Sequence, residues 1–156
     1  MRIGNIFNQI NNKYKSHNFT NLNFDSRKCK KGDIFFSIKG TKKNGNEFIK
    51  DAIKNGANTI VSDYKYQGLK NKILYIKSIN VRKTLSYAAS KLYNQKPKNI
   101  IGITGTNGKS SIANFYYQIM SKNNKLSASI GTLGVKSKFY SKNLDNTTLD
   151  PINLHQ

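Results

Sequence analysis

Residues 102–111, Gly-Ile-Thr-Gly-Thr-Asn-Gly-Lys-Ser-Ser, combine residue types that can bind the phosphates of a nucleotide. Glycines allow the backbone to curl so that successive N–H groups point at one anion. The helix predicted to start beside Gly108 adds unpaired N–H donors and the positive end of its dipole. Lys109 can neutralise the β- and γ-phosphates, and the Ser110 hydroxyl can ligate Mg²⁺. The segment therefore predicts a phosphate loop for a nucleoside triphosphate.

The loop departs from the common phosphate-loop pattern G-x-x-x-x-G-K-[ST]. That pattern requires a glycine five positions before Gly108, where this chain has Ile103, and the nearest preceding glycine is Gly105. A glycine-rich turn without a ligand is the alternative interpretation. The position between a predicted buried strand and an amphipathic helix favours phosphate binding. The candidate binding residues are Gly105, Thr106, Asn107, Gly108, Lys109, Ser110 and Ser111.

Regular apolar patterns on both sides of the loop predict the elements that position it. Residues 99–104 form an apolar run typical of a buried strand, the apolar residues of 112–119 repeat with helical spacing, and 126–130 predict another strand. Strand–helix alternation of this kind predicts a parallel α/β sheet with helical crossovers. We therefore expect residues 97–156 to begin a mononucleotide-binding domain.

The first 96 residues show a similar alternation and predict a small α/β domain of their own. The segment 95–98 contains Pro97, which ends a predicted helix shortly before the strand at 99–104 and marks the domain boundary. The predicted strands are 19–24, 34–38, 59–62 and 73–76, and the predicted helices are 3–10, 48–55 and 80–94.

The charge of the chain suggests a different class of protein. Its 156 residues carry 27 Lys+Arg against 7 Asp+Glu, a net charge of +20, so a basic nucleic-acid-binding protein is an alternative. Arg2, Arg27 and Arg82 are the only arginines, whereas base and phosphate readers favour arginine. The lysines are spread along the chain, and an A/T-rich genome explains its Lys, Asn and Ile content better. We expect no nucleic-acid partner.

Cysteine content and hydropathy exclude other classes. The single cysteine, Cys29, allows no internal disulfide, and no apolar run approaches the roughly 18 residues of a membrane helix. These features predict a cytoplasmic protein without a membrane partner. Lys28 and Lys30 could lower the pKa of Cys29, but nothing near it in sequence indicates nucleophilic catalysis.

Several motifs in order resemble the Mur ligases, which build the peptide stem of peptidoglycan. Residues 104–110 resemble the ATP loop of that family, and Asp25-Ser26-Arg27 followed by 31–36 resembles its D-S-R and G-D-[LI]-F segments. Residues 130–134, Ile-Gly-Thr-Leu-Gly, and Asn146-Thr147-Thr148 resemble the branch that adds the third residue of the stem. The branch that adds D-Ala-D-Ala is the alternative within the family.

The resemblance implies an ATP- and Mg²⁺-dependent amide ligase, monomeric, acting on UDP-MurNAc-L-Ala-D-Glu. ATP would convert the D-Glu carboxylate to an acyl phosphate, which the amine of meso-diaminopimelate or L-Lys attacks. Ser26 and Arg27 would contact the uridine nucleotide, and Asn146, Thr147 and Thr148 the muramoyl peptide. Their residue types alone allow a strand-end turn at Asp25–Arg27 and a polar loop at 146–148.

Two departures from the family affect these expectations. The family often has Asp-Gly-His where this chain has Asn44-Gly45-Asn46, which leaves the substrate contacts near residue 46 open. The resemblance also covers only the first of three family domains and the start of the second. We therefore expect an N-terminal portion that does not ligate by itself and whose apolar residues in 99–119 remain exposed. A non-catalytic nucleotide-binding module is the remaining alternative.

Overall fold

The computed structural model describes residues 1–40, 43–144 and 149–156. The chain divides into two compact units, one made of Met1–Asn94 with His155–Gln156 and one made of Gln95–Leu154. The first unit is a mixed α/β structure around a mainly parallel sheet, as its alternating pattern predicted.

Among the described residues of the first unit, five strands form one sheet, namely β1 (Leu22–Asn23), β2 (Ile34–Phe36), β3 (Thr59–Ser62), β4 (Gly68–Lys70) and β5 (Ile73–Lys77). Their order in the sheet is β1-β2-β3-β5-β4. The neighbouring strands are parallel except for the antiparallel pair of β4 and β5. Parallel neighbours place their carboxyl ends along one edge of the sheet, and this edge positions the polar residues discussed below. The α-helices described in this unit are α1 (Ile49–Lys54) and α2 (Val81–Leu92).

Strands β2 and β3 are buried along their whole length. Strands buried on both faces have mostly apolar sequences without alternation, which is the pattern seen here. Phe35 and Ile60, paired in register, pack in one cluster with Ile49 and Ala52 of α1. Gly56 follows α1 with a φ of +110°, and a Cβ there would lie 2.7 Å from the backbone nitrogen of Lys31. Only glycine therefore allows the chain to leave α1 so close to the turn before β2.

Helix α2 begins where the sequence predicts. The Asn80 side chain accepts a hydrogen bond from the Lys83 backbone N–H at 2.9 Å and caps the helix. Its apolar positions, Val81, Leu85, Ala88 and Ala89, are buried. This amphipathic spacing is the signal that made the helix predictable.

Two elements of the first unit differ from prediction. The segment 3–10 contains only a single 3₁₀ turn, Ile3–Asn5, although Ile3, Ile6 and Ile10 are buried as the spacing required. Strand β4 was not predicted. It joins β5 through Asn71 and Lys72, whose φ values of +51° and +65° fit a two-residue hairpin turn that usually contains glycine.

The second unit contains α3 (Lys109–Lys122), β6 (Ala128–Gly131), β7 (Gly134–Ser137) and β8 (Ser141–Lys142), and α4 (Pro151–His155) closes the chain. Its three described strands form an antiparallel sheet in chain order. The predicted strand at 99–104 is absent, because no described segment offers it a hydrogen-bonding partner. The parallel sheet predicted here is likewise not found among the described residues.

Apolar side chains of the second unit remain exposed, as expected. Helix α3 has no buried residue, and Phe115 and Ile119 keep 60% and 57% of their surface exposed. Ile100, with 80%, lies in the segment that the sequence predicts as a buried strand.

Across the described parts of the chain, no helix has both the length and the apolar composition needed to cross a membrane.

Candidate functional site

The predicted phosphate loop leads directly into α3. Gly108, the residue before the helix, has φ +78° and ψ −7°, the left-handed conformation, and Gly105 has φ +148°. A Cβ on Gly108 would meet no atom within 4 Å, so the backbone conformation, not space, favours glycine there. The glycines thus form an open turn that no neighbouring side chain fills.

Lys109, the first residue of α3, bends back over this turn. Its Nζ donates to the backbone carbonyl oxygens of Gly105 and, at 3.0 Å, of Thr106. An ammonium group has three donors, so one is left for a ligand above the loop. The two carbonyl contacts fix a positive charge at the mouth of the turn.

The amino end of α3 supplies further donors. No side chain caps it, and the Ile112 N–H makes a helical bond of 2.9 Å to the Gly108 carbonyl. The backbone N–H groups of Lys109, Ser110 and Ser111 therefore lie in the first turn, where donors point out of the helix. This end can bind an anion, and the helix dipole adds a partial positive charge.

Ser110, in the first turn of α3, can offer its hydroxyl oxygen to a metal ion. Within 1–40, 43–144 and 149–156 no three His, Cys, Asp or Glu side chains come together as a metal site. Mg²⁺ commonly keeps several waters and binds one or two protein oxygens together with substrate phosphates. The Ser110 hydroxyl beside a bound phosphate would fit this way of binding Mg²⁺.

In the first unit, Ser26 and Arg27 lie in a 3₁₀ turn after β1. The Asp25 carboxylate accepts the Arg27 backbone N–H at 3.1 Å and pairs with its guanidinium through Nε at 2.9 Å and Nη2 at 2.8 Å. This bond to Arg27 is the main reason that the pKa of Asp25 lies below its ordinary value. The residues thus form the local turn that their types predicted.

The same turn leaves part of Arg27 accessible. Its side chain is 87% exposed, and two of the five guanidinium N–H donors are used by Asp25. Ser26 is buried, and its carbonyl accepts Asn55 Nδ2 at 2.9 Å, which holds the turn against the end of α1. Arg27 can therefore bind an anion from a fixed backbone position.

Asp33, from the G-D pair of the motif, has a structural role that the sequence did not reveal. This buried carboxylate accepts hydrogen bonds from Thr20 Oγ1 at 2.6 Å, Asn23 Nδ2 at 2.6 Å and the Lys30 backbone N–H at 2.8 Å. It joins β1 to the turn before β2.

A second polar group that sequence reasoning missed lies at the carboxyl edge of the sheet. Asn46 hydrogen-bonds both the Ser37 hydroxyl and, at 2.7 Å, the Asp63 carboxylate. Ser37 directly follows β2 and Asp63 directly follows β3. Asp63 follows the predicted strand 59–62, and this position is the signal that could have indicated it, whereas Ser37 lies inside the predicted strand 34–38 and carried no such signal.

The lowered pKa suggested for Cys29 by its neighbouring lysines is not found in the structure. Burial raises the pKa of its thiol to about 12, and the charges of Asp33 and Asp25 add to this shift. The lysines beside it in sequence do not offset desolvation, because Cys29 is buried in the cluster with Phe35 and Ile60. The thiol is therefore not an activated nucleophile.

Asn146, Thr147 and Thr148, proposed to contact a muramoyl peptide, lie outside the described residues. The remaining predicted residues fall into two groups, the phosphate loop at 105–111 in the second unit and the turn at 26–27 in the first.

A glycine-rich turn at the start of a helix and a separate α/β unit with a mainly parallel sheet are features typical of nucleotide-binding proteins. Comparison with known families makes the class specific. The sequence model described as the Mur ligase family catalytic domain matches residues 18–93, and that of the Mur ligase middle domain matches 103–156. The chain belongs to the Mur ligase family.

Individual relatives show how much of a complete protein is present. The chain is 42% identical over 142 residues to the UDP-N-acetylmuramoyl-L-alanyl-D-glutamate–2,6-diaminopimelate ligase of Rickettsia conorii, and this covers 88% of the chain. It is 39% identical over 137 residues to the ligase of the same name from Bradyrhizobium diazoefficiens. The matches span only 29% and 28% of those two proteins.

Solved structures share the fold. A structure of a UDP-N-acetylmuramoyl-L-alanyl-D-glutamate–2,6-diaminopimelate ligase superposes with a TM-score of 0.78 at 25% identity, covering 99% of this chain and 32% of that one. The MurF ligase of Thermotoga maritima in complex with ADP superposes with a TM-score of 0.52 at 24% identity, covering 68% of this chain and 24% of its own. The second likeness supports the fold alone.

Proposed function

We propose that this chain is the N-terminal part of an ATP-dependent ligase that adds meso-diaminopimelate to UDP-MurNAc-L-Ala-D-Glu. The observation that carries the proposal is the phosphate loop, with Lys109 held over the Gly105 and Thr106 carbonyls at the uncapped start of α3. The names of the relatives, which specify 2,6-diaminopimelate, favour this amino acid over L-Lys.

Residues 97–156 are proposed as the start of the ATP-binding domain, and residues 1–96 as the domain for the uridine nucleotide. In the complete domain, 99–104 would be a strand of a parallel sheet that leads into the loop. The exposed apolar side chains of α3 support this, since a parallel sheet has helices packed on both faces.

In this reaction the loop positions the triphosphate and neutralises its charge. The backbone N–H groups from Gly105 to Ser111 surround the β- and γ-phosphates, and the free donor of Lys109 reaches them. The Ser110 hydroxyl would hold Mg²⁺, which would supply further charge neutralisation. The γ-phosphoryl group passes to the D-Glu carboxylate, the ADP oxygen leaves, and the amine of diaminopimelate then displaces phosphate to form the amide.

The uridine nucleotide is proposed to bind at the carboxyl edge of the first sheet, where ligands of open α/β sheets bind. Arg27 supports this assignment, because three of its five N–H donors remain available for phosphate oxygens. Ser26 would contribute through its backbone, since its side chain is buried. Asn146, Thr147 and Thr148 would contact the muramoyl peptide. We propose that the protein works as a cytoplasmic monomer.

Binding of ATP to the purified chain tests the loop. We expect Lys109→Ala to weaken ATP binding by about tenfold or more, since it removes a charge-assisted hydrogen bond. Lys122→Ala, at the other end of the same helix, is the matched control and should bind as the wild type does. Equal affinity of the three proteins for ATP, measured by calorimetry with Mg²⁺, would refute the assignment.

The chain itself should not form the amide, because it spans only about 29% of the length of the relatives whose reaction is proposed for it. Incubation with ATP, Mg²⁺, UDP-MurNAc-L-Ala-D-Glu and diaminopimelate should give no ligated product by mass spectrometry. Ligated product whose amount rises with incubation time and with the concentration of the chain would overturn this expectation.

A further inference from the structure

The Asn46 carboxamide joins two groups that need opposite hydrogen-bonding partners. Its Nδ2 lies 2.7 Å from Oδ1 of Asp63, and its Oδ1 contacts the hydroxyl of Ser37. A carboxylate only accepts hydrogen bonds, so the amide NH₂ must face Asp63. This fixes the amide oxygen toward Ser37, whose hydroxyl then donates. The arrangement requires one acceptor and one donor on the side chain at position 46.

The two partners belong to neighbouring strands. Phe36 of β2 pairs with Val61 of β3, so Ser37 and Asp63 both lie at the carboxyl ends of these parallel strands. Ser37 is 2% exposed, and its N–H donates to the Val61 carbonyl at 2.9 Å. Asn46 therefore connects the start of the chain segment that leads into α1 to two fixed points of the sheet.

The residues before Asn46 pack closely against the backbone that follows β2. Asn44 Oδ1 accepts the Asn46 backbone N–H at 3.1 Å, and the Gly45 N–H donates to the Ile38 carbonyl at 3.1 Å. A Cβ on Gly45 would lie 2.6 Å from backbone atoms of Ile38, so no other residue fits. This explains the glycine of Asn44-Gly45-Asn46 by close backbone approach.

The connection between β2 and α1 is closed at its base. Lys39 and Asn44 form an antiparallel bridge, and the Gly40 N–H donates to the Lys43 carbonyl at 3.0 Å. We call residues 38–40 and 43–45 the loop stem. The stem leaves the sheet at the carboxyl edge, next to the strand that ends before the Asp25–Arg27 turn.

We propose that Asn46 is a positioning residue for the uridine-nucleotide end of the substrate, acting by fixing the loop stem to Ser37 and Asp63. The inference rests on the proposed function, which places that nucleotide at the carboxyl edge. A neutral imidazole also has one acceptor and one donor nitrogen. The histidine that the family often has at this position can therefore make the same pair of hydrogen bonds.

Three substitutions of Asn46 test the proposal through the affinity of the full chain for UDP-MurNAc-L-Ala-D-Glu at pH 8. Asn46→Ala removes both bonds, and Asn46→Asp turns the donor into a second carboxylate facing Asp63. We expect each to weaken binding by about tenfold, the size expected for a lost hydrogen bond to a charged group. Asn46→His should bind within about twofold of the wild type, because it restores the donor and acceptor pair. Asn12→Ala, an exposed asparagine of the same unit, is the control.

If Asn46 only fills space, the affinities of the three variants should follow a different order. Asn46→Asp should then bind the substrate best, because aspartate is closest to asparagine in shape. Wild-type affinity in Asn46→Ala, or better binding by Asn46→Asp than by Asn46→His, would overturn the proposal. If the wild-type chain does not bind the substrate, the proposed function fails instead. Amide exchange then decides the positioning role separately: Asn46→Ala must speed exchange at Gly40 and Gly45 while β3 stays protected, and unchanged exchange there would refute it.

Discussion

The Lys109 ammonium donates to the Thr106 carbonyl at 3.0 Å, so the side chain folds over the loop that precedes it. This contact depends on the left-handed turn at Gly108, because α3 must begin there for Lys109 to face back toward Thr106. The loop conformation and the placement of its charge are therefore one feature, and a change of backbone at Gly108 should disturb both.

Alanine at Gly108 should weaken ATP binding. The left-handed conformation costs about 1–2 kcal/mol for a residue with a Cβ, so the variant will shift the loop away from its binding geometry. Gly102→Ala is the matched control, since it too meets no atom within 4 Å and has no positive φ. Calorimetry should show weaker ATP binding for Gly108→Ala only. Equal loss in both variants would mean that the φ at 108 does not matter.

Replacement of Asp33 by Asn should destabilise the first unit. The amide NH₂ would face one of the three donors that now point at the carboxylate, from Thr20, Asn23 and the Lys30 N–H. We expect a loss of about 1–3 kcal/mol in the free energy of unfolding, measured with urea. Asp51→Asn, at an exposed position of α1, should change it by less than about 0.5 kcal/mol. An unchanged free energy of unfolding in Asp33→Asn would contradict the structural role of the Asp33 carboxylate.

The thiol of Cys29 should resist alkylation. With a pKa of about 12 and a buried position, it has very little thiolate at pH 8 and no access for iodoacetamide. Labelling followed by mass spectrometry should be slow in buffer and fast in urea. Because folding raises this pKa, its stabilising effect is complete below the unfolded thiol pKa, about 8.5, and is lost as the pH rises toward 12. Rapid labelling of the folded chain would contradict the burial of Cys29.

The ion pair of Asp25 with Arg27 should be visible in a titration. The guanidinium lowers the Asp25 pKa, so Arg27→Ala should move it back toward the ordinary range. Carboxyl carbon shifts in NMR would report this, with Arg82→Ala as control. A lowered folded-state pKa stabilises the turn above the unfolded value, and this contribution is lost as the pH falls through the folded value. No change in Arg27→Ala would show that the pair does not form in solution.

Amide exchange should differ between the two units. Residues of β2 and α2 belong to a buried core, whereas α3 contains no buried residue. Amides in 109–122 should therefore exchange much faster than those in 34–36 and 81–92. Hydrogen exchange with mass spectrometry can measure both in one sample. Strong, equal protection in the two units would contradict the exposure of the α3 apolar face.

The sequence was informative where a local pattern decides the structure. Strands β2 and β3 and helix α2 follow from apolar runs and helical spacing, because burial of those side chains forms the first core. The strand at 99–104 fails as a prediction because a strand also needs a hydrogen-bonding neighbour, which an apolar run cannot reveal. Strand β4 was missed because Asn71-Lys72 lacks the glycine that usually marks such a turn.

The same distinction applies to the candidate sites. The turn at 105–111 and the start of α3 were predictable because this segment is continuous in sequence, and its phosphate-binding role stays a prediction. The connections of Asp33 to Asn23 and of Asn46 to Asp63 join segments 10 and 17 residues apart, and only the strand register brings them together. Such contacts depend on the tertiary fold, and no residue type in them signals the pairing.

The distribution of buried side chains has a consequence for synthesis on the ribosome. Among the described residues, every buried apolar side chain lies between Ile3 and Ala89. Domains generally fold as units, with the N-terminal one first as the chain emerges. The core around Phe35 and Ile60 needs no apolar side chain beyond Ala89, so the first unit can fold as soon as it has left the ribosome, while later parts of the chain are still being synthesised.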